Sequence, residues 1–341
     1  MKQVQKIIYF DFARSAATIA VVTIHTFALL NTPTLLSSSW WIHTLATSLS
    51  IWAVPLFVMI SGSLLLTKVE PPTLFYYKRI VKIFFPTFFW LFVYFAYTQF
   101  VLQENLSIFL FLKRILFGEV GHLYFLFLIL ELYAITPFLR TIVSKLSQTE
   151  VLFLIGLFFC IAAFWGLSRF SVTLFIPHIG FYLAGYYLTK YPTTHRGNSL
   201  LNSQSLAIVW LLLVSAIFTS KLVGDHFGIV SYYYFTHGNP LIIALTICTF
   251  IAFQKTQLTS QCISFRSQKK LNQFATATFG IYIIHPLVLS MLQKYFLPNK
   301  LDWYLPLVVL PFVVFVSYLL SRLFATISAC LQKKYSWLRL V

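Results

Sequence analysis

Apolar residues occur along this chain in long runs separated by short polar stretches. At about 20 apolar residues per membrane span, the pattern predicts ten helices, at roughly 7–30, 46–67, 80–102, 121–143, 149–167, 172–189, 205–221, 236–255, 274–295 and 303–327. The expected architecture is an all-α, polytopic transmembrane helical bundle. The connections at 31–45, 191–204 and 256–273 are rich in Ser, Thr, Asn and Gln and read as loops. No connection has room for an appended soluble domain, so residues 1–341 read as a single integral-membrane domain whose chemistry lies within the bundle or its short loops. No repeat relates the two halves.

The first run breaks the apolar pattern. Between Tyr9 and Thr26 it carries Asp11, Arg14 and His25, residues that are costly inside a membrane. At about 100° per residue, the eleven steps from Arg14 to His25 return to within about 20° of the same helix face, and Asp11 lies one turn before Arg14. With a rise of about 1.5 Å per residue, His25 sits roughly 16 Å further along the axis than Arg14. A fixed cation and a titratable ring stacked this way suit the lining of a passage. The run continues to Leu30 without a small-residue cleavage site and reads as a retained helix, not a secretory leader.

Composition confirms the setting. With 59% hydrophobic and 10% charged residues and a mean hydropathy of +0.82, the chain has too little polar surface to coat a soluble globule. Its net charge of +17 is read as topogenic or as a response to anionic lipid, not as a nucleic-acid footprint. Lys and Arg number 18 at the ends and even connections and 6 in the odd ones, with Arg14 completing the 25. The positive-inside bias then predicts cytoplasmic termini. Cys160, Cys248, Cys262 and Cys330 are scattered, so neither a metal site nor a disulfide framework is expected.

Other polar residues inside the runs need a reason. The second run contains Pro55, Ser61 and Gly62, which permit a kink or close packing, with Ser61 bonding its own backbone. Lys78, Arg79 and Lys82 open the third, Lys78 and Lys82 sharing a face at i, i+4. Such a group serves as a topological anchor, and it also suits a cytosolic polyphosphate. The fourth run places His122 and Tyr124 at its outer end and Glu131 near mid-span. A carboxylate at that depth costs about 2.5–3.5 kcal/mol even on lenient scales, so Glu131 is expected to face inward. In the ninth run His285 precedes Pro286 and is expected at a kink, with Tyr282 one turn earlier. A bonded Tyr/His pair between helices explains these two as readily as chemistry does. His43, His178, His195, His226 and His237 lack an ionisable companion in sequence and read as structural.

Taken together these residues resemble the membrane acyltransferase-3 family. Arg14 and His25 reproduce its arginine, ten residues, histidine motif. VPLFVMISG at 54–62, KRIVKIFFP at 78–86, HLYFLFLILELYAITP at 122–137 and GIYIIHPLV at 280–288 resemble its later signatures in order. There are two departures: Lys82 stands where the family often has a second arginine, and Tyr124 where it commonly has tryptophan. The resemblance covers essentially the whole chain and implies a short-form O-acyltransferase without a fused extracytoplasmic domain, in the cell membrane. It implies acetyl-CoA as donor and a surface glycan or its lipid-linked precursor as acceptor.

In that reading Arg14, Lys78, Arg79 and Lys82 hold the donor's phosphates, Asp11 positions Arg14, and His25 is the general base. Glu131, Ser61, His122, Tyr124, Tyr282 and His285 are candidates for orienting the acceptor or stabilising an oxyanion. Direct transfer and a covalent acyl intermediate both remain open. From the residues alone, a transporter or flippase using Arg14, His25 and Glu131 as a proton relay is the competing class, and a catalytically silent scaffold is a third.

Overall fold

A computed structural model describes residues 8–30, 34–104, 107–116, 121–167, 175–192, 202–229, 231–259, 264–298 and 301–334. Of the described residues 86% are helical, and none is in a strand. In chain order the helices are α1 (Ile8–Ala28), α2 (Ser38–Ser50), α3 (Ala53–Leu65), α4 (Pro72–Arg79), α5 (Phe85–Ala96), α6 (Ile108–Leu116), α7 (Tyr124–Lys145), α8 (Gln148–Leu167), α9 (Ile179–Lys190), α10 (Ser203–His226), α11 (Pro240–Thr259), α12 (Phe265–Tyr295) and α13 (Leu305–Lys334). Among the described residues, seven segments are long and apolar enough to cross a membrane: Ser38–Leu65, Pro72–Val101, Gly121–Lys145, Ser203–His226, Tyr233–Thr256, Arg266–Tyr295 and Leu305–Cys330.

The helix that carries Asp11, Arg14 and His25 sits in the middle. α1 packs against α2, α3, α11, α12 and α13, and Asp11, Ser15, Thr18 and Thr26 are all buried. Being surrounded by protein on these sides, α1 can carry charges that lipid would not tolerate. Beside it α3 crosses α9 at backbone contact. A Cβ on Gly62 would collide with the Tyr182 carbonyl, and one on Gly185 with the Met59 carbonyl, so the crossing needs small residues. Ser63 Oγ donates to the Gly185 carbonyl at 2.8 Å and fixes the contact.

Several predicted boundaries move. The segment expected at 46–67 begins at Ser38, because Ser37 accepts the Trp40 N–H at 3.2 Å and caps a helix inside the presumed loop. The segment expected at 80–102 begins at Pro72, a residue suited to a first helical turn. Its cations are therefore one to two turns inside it. The segment expected at 172–189 starts with a 3₁₀ turn at Ile176–His178, and the 12 residues of α9 extend only about 18 Å. The short helix α6 lies in a connection read as irregular. α11 and α12 invade the expected loop at 256–273, so Arg266, Lys269 and Lys270 lie on the first turns of α12. Pro286 does not end α12, which continues for 31 residues to Tyr295.

Between α4 and α5 the helix widens into a π turn at Ile80–Phe84, and the Phe85 N–H reaches back to the Ile80 carbonyl. Pro86, in the first turn of α5, explains the widening. It has no N–H for the Lys82 carbonyl, and its ring crowds that group.

Candidate functional site

Three imidazoles from three parts of the chain meet. Ring centroids lie 5.2 Å apart for His25 and His285, 5.9 Å for His122 and His285, and 6.4 Å for His25 and His122. α1 supplies His25 near its C-terminal end, α12 supplies His285, and a 3₁₀ turn at Gly121–Leu123 supplies His122 just before α7. Gly121 has φ +59° with open space where a Cβ would stand. Its glycine is required by the left-handed backbone that turns the chain into α7, not by crowding.

The hydrogen bonds fix the ring tautomers. His285 Nδ1 lies 3.0 Å from the Ile281 carbonyl. A carbonyl only accepts, so Nδ1 carries the proton and Nε2 of the neutral ring is a bare acceptor. The His122 ring bonds the backbone at Ile283, whose carbonyl also accepts the Tyr94 hydroxyl at 2.7 Å. Nε2 of His122 and Nε2 of His285 are both buried with no partner among the described residues. Tyr282 donates its hydroxyl to the His122 carbonyl and ties α12 to that turn. A neutral His285 in this tautomer can orient a hydroxyl but cannot donate to an oxyanion, and the Tyr282 proton is already given. Tyr124 is half-buried at the start of α7.

Next to this cluster, with none of the three imidazoles on its lining, a narrow cavity of about 150 Å³ reaches from Tyr282 to Arg14. Tyr282 and Phe125 line it near the histidines, and Arg14, Ser61 and Tyr133 line it further along. Ser61 bonds Tyr133, not its own backbone alone. Arg14 Nη1 is 3.9 Å from Asp11 Oδ1, the guanidinium side chain being 34% exposed and the carboxylate 9%. Asn272 of α12 donates to Asp11 Oδ2 at 3.4 Å. The expected positioning of Arg14 by Asp11 thus has a geometric basis. Ligand pockets usually measure about 300–1,000 Å³, so this cavity suits a slender chain and not a nucleotide.

Beyond Tyr133 lies a second group of charges. The Arg79 guanidinium sits 5.6 Å from the Tyr133 ring centroid and 5.0 Å from that of Phe75. Glu70, in the connection before α4, pairs with Lys78 at 3.0 Å, Arg79 at 3.8 Å and Arg140 at 3.3 Å. Lys82 does not join them. It falls in the π turn, is exposed, and forms no ion pair among the described residues. Glu131 lies apart from the cavity lining and accepts the Phe175 N–H at 2.9 Å, anchoring the turn that leads into α9.

Sequence reasoning missed Arg140, Glu70, Tyr133 and Tyr94. A signal for two of them was present: Leu126, Ile129, Tyr133 and Arg140 follow helical spacing along one stripe of α7. It also missed that His178 and His237 are companions, with Nε2 and Nδ1 2.9 Å apart. His195 and Cys262 lie outside the described residues. Two larger grooves, of about 600 and 670 Å³, lie along α10 against α11 and α2 and contain no predicted site residue. No group of His, Cys, Asp or Glu among the described residues is placed to hold a metal.

The family model described as an acyltransferase domain matches residues 7–325 of the 341. The chain belongs to the acyltransferase-3 family. No curated protein and no solved structure matches it. As a membrane acyltransferase of this family, the protein has Arg14 and Tyr282, the tyrosine bonded to the His122 carbonyl, on the lining of one narrow cavity.

Proposed function

We propose that this acyltransferase moves an acetyl group from cytoplasmic acetyl-CoA to a hydroxyl of a cell-surface glycan or its lipid-linked precursor, across the cell membrane. Cytoplasmic termini, supported by the distribution of Lys and Arg, put Arg14 and the Glu70 group toward the cytosol and the imidazoles deeper. The observation that carries the reading is the cavity itself. It is too thin for a nucleotide, has Arg14 on its lining with Arg79 against Tyr133 beyond it, and is bounded on another side by Tyr282, whose ring neighbours those of His122 and His285. The donor's phosphates stay with Lys78, Arg79 and Arg14, and its pantetheine arm extends along Tyr133 and Phe125.

At the far end His25 accepts the proton of the acceptor hydroxyl. The alcohol oxygen attacks the thioester carbon, the C–S bond breaks, and the thiolate leaves with the proton held by His25. Nε2 of His285 accepts a hydrogen bond from a neighbouring hydroxyl of the acceptor and so orients the one that reacts. Glu131 acts in this scheme through the fold, by holding Phe175. The carrier alternative has only the buried charges in its favour, whereas the family is one of acyltransferases.

His25→Ala should abolish acyl transfer by purified protein given acetyl-CoA and candidate glycans, with a loss of at least about 100-fold and an unchanged folded yield. Near-normal thioester consumption in that variant overturns the mechanism. Substrate flux without thioester loss in the wild type would favour a carrier.

A further inference from the structure

We propose that Glu70 is a resident counter-anion occupying, in the unliganded protein, the seat into which the donor's phosphates move, with Arg140 as an arm of that seat supplied by a second helix. This rests on the reading of a phosphate-bearing donor but assigns residues that reading does not use.

Three cations meet one carboxylate, leaving two positive charges without a partner in the group. The group is not a surface ornament: the side chains of Arg79, Arg140 and Glu70 are 14%, 11% and 9% exposed. Charges this enclosed are costly when uncompensated. Arg79 Nε is, moreover, buried without a hydrogen-bond partner among the described residues. Both guanidiniums lie against the Phe75 ring, at 5.0 Å for Arg79 and 4.7 Å for Arg140, cation–π contacts that hold the two cations beside one another. Arg140 is preset by Nε donating to the Leu65 carbonyl at 2.7 Å and Nη1 to the Glu70 carbonyl at 3.4 Å. Lys78, with 43% of its side chain exposed, is the arm able to swing.

Glu70 stays ionised at neutral pH. Burial acts to raise its pKa, but hydrogen bonds from Lys78 and Arg140 and the charges of Lys78 and Arg79 outweigh that and hold it below the usual carboxylate range. It is therefore a permanent competitor for the same donors a phosphate needs. Competition is useful here, because acetyl-CoA and CoA carry the same phosphates. A seat with its full positive charge would retain the product, and an internal anion returns to the cations as CoA leaves.

The test is binding of CoA and of inorganic pyrophosphate to the full-length protein in nanodiscs. Glu70→Gln should tighten both about tenfold, the scale of one nearby charge at an interface, and should lower kcat as product release slows. Arg140→Ala should weaken both about tenfold, and Glu70→Asp, which keeps the charge, should bind like the wild type. Melting temperatures identify any variant that fails to fold, in which case Glu70→Ala, expected to tighten the binding of both ligands, and Arg140→Gln, expected to weaken it, decide in its place. Weaker binding in Glu70→Gln, or no effect of Arg140→Ala, overturns the proposal. Pyrophosphate binding that tightens in Glu70→Gln while CoA does not bind would keep the seat and remove the donor. CoA binding that depends on Arg14 but on neither Glu70 nor Arg140 would do the reverse.

Discussion

The protein buries two groups of histidines, and they are not alike. His178 and His237 satisfy one another, Nε2 to Nδ1 at 2.9 Å, against the ring of Phe181. His122 and His285 instead leave an Nε2 apiece buried and without a partner among the described residues, beside His25. An unmet buried acceptor costs about 1–3 kcal/mol. The pair is finished as it stands and belongs to the architecture. In the proposed reaction the trio is completed by a bound group such as an acceptor hydroxyl.

That contrast can be broken most decisively at His285. His285→Ala should lower kcat by about 100-fold, the scale of a lost orienting or proton-accepting group, with little change in the binding of CoA. Equal loss of CoA binding would show that the ring only holds the cavity open. A smaller effect is expected for Tyr94→Phe, which removes the hydroxyl bonded to the Ile283 carbonyl that the His122 ring also uses. We expect about a tenfold loss of kcat/KM for the acceptor, with the rate restored in part by raising the acceptor concentration if His122 helps to place the acceptor. The smallest effect on turnover belongs to the pair. His178→Gln should lower the melting temperature by several degrees, as for a lost buried hydrogen bond of about 1 kcal/mol or more, while activity per folded molecule stays within about twofold. A large drop in specific activity there would merge the two groups into one functional unit.

Much of the site was legible because its chemistry violates the apolar background. Asp11, Arg14 and His25 stand out on α1 for that reason, and helical spacing alone puts them on one stripe. His122 and His285 were visible as isolated polar residues, but their meeting is a tertiary fact. It depends on the left-handed Gly121 and on α12 continuing through Pro286. Glu70 was invisible because nothing in a short connection marks one acid as the partner of three cations, one of them 70 residues away. Glu131 misled for a physical reason: the argument from membrane cost requires a partner but does not distinguish a substrate from a backbone N–H. The helix starts at Ser38 and Pro72 were readable from capping chemistry, and were obscured by counting only apolar residues.

The widened turn before Pro86 has a further consequence. It spends one more amino acid per revolution than its surroundings, so the angular phase between the basic residues upstream and the aromatic wall downstream is set by chain length, not by residue type. Removing a single residue between Ile80 and Phe84 would return the turn to α spacing and leave Arg79 facing nearly as before, whereas removing two would rotate it by about 100° relative to α5. In this protein the facing of Arg79 is tuned by counting.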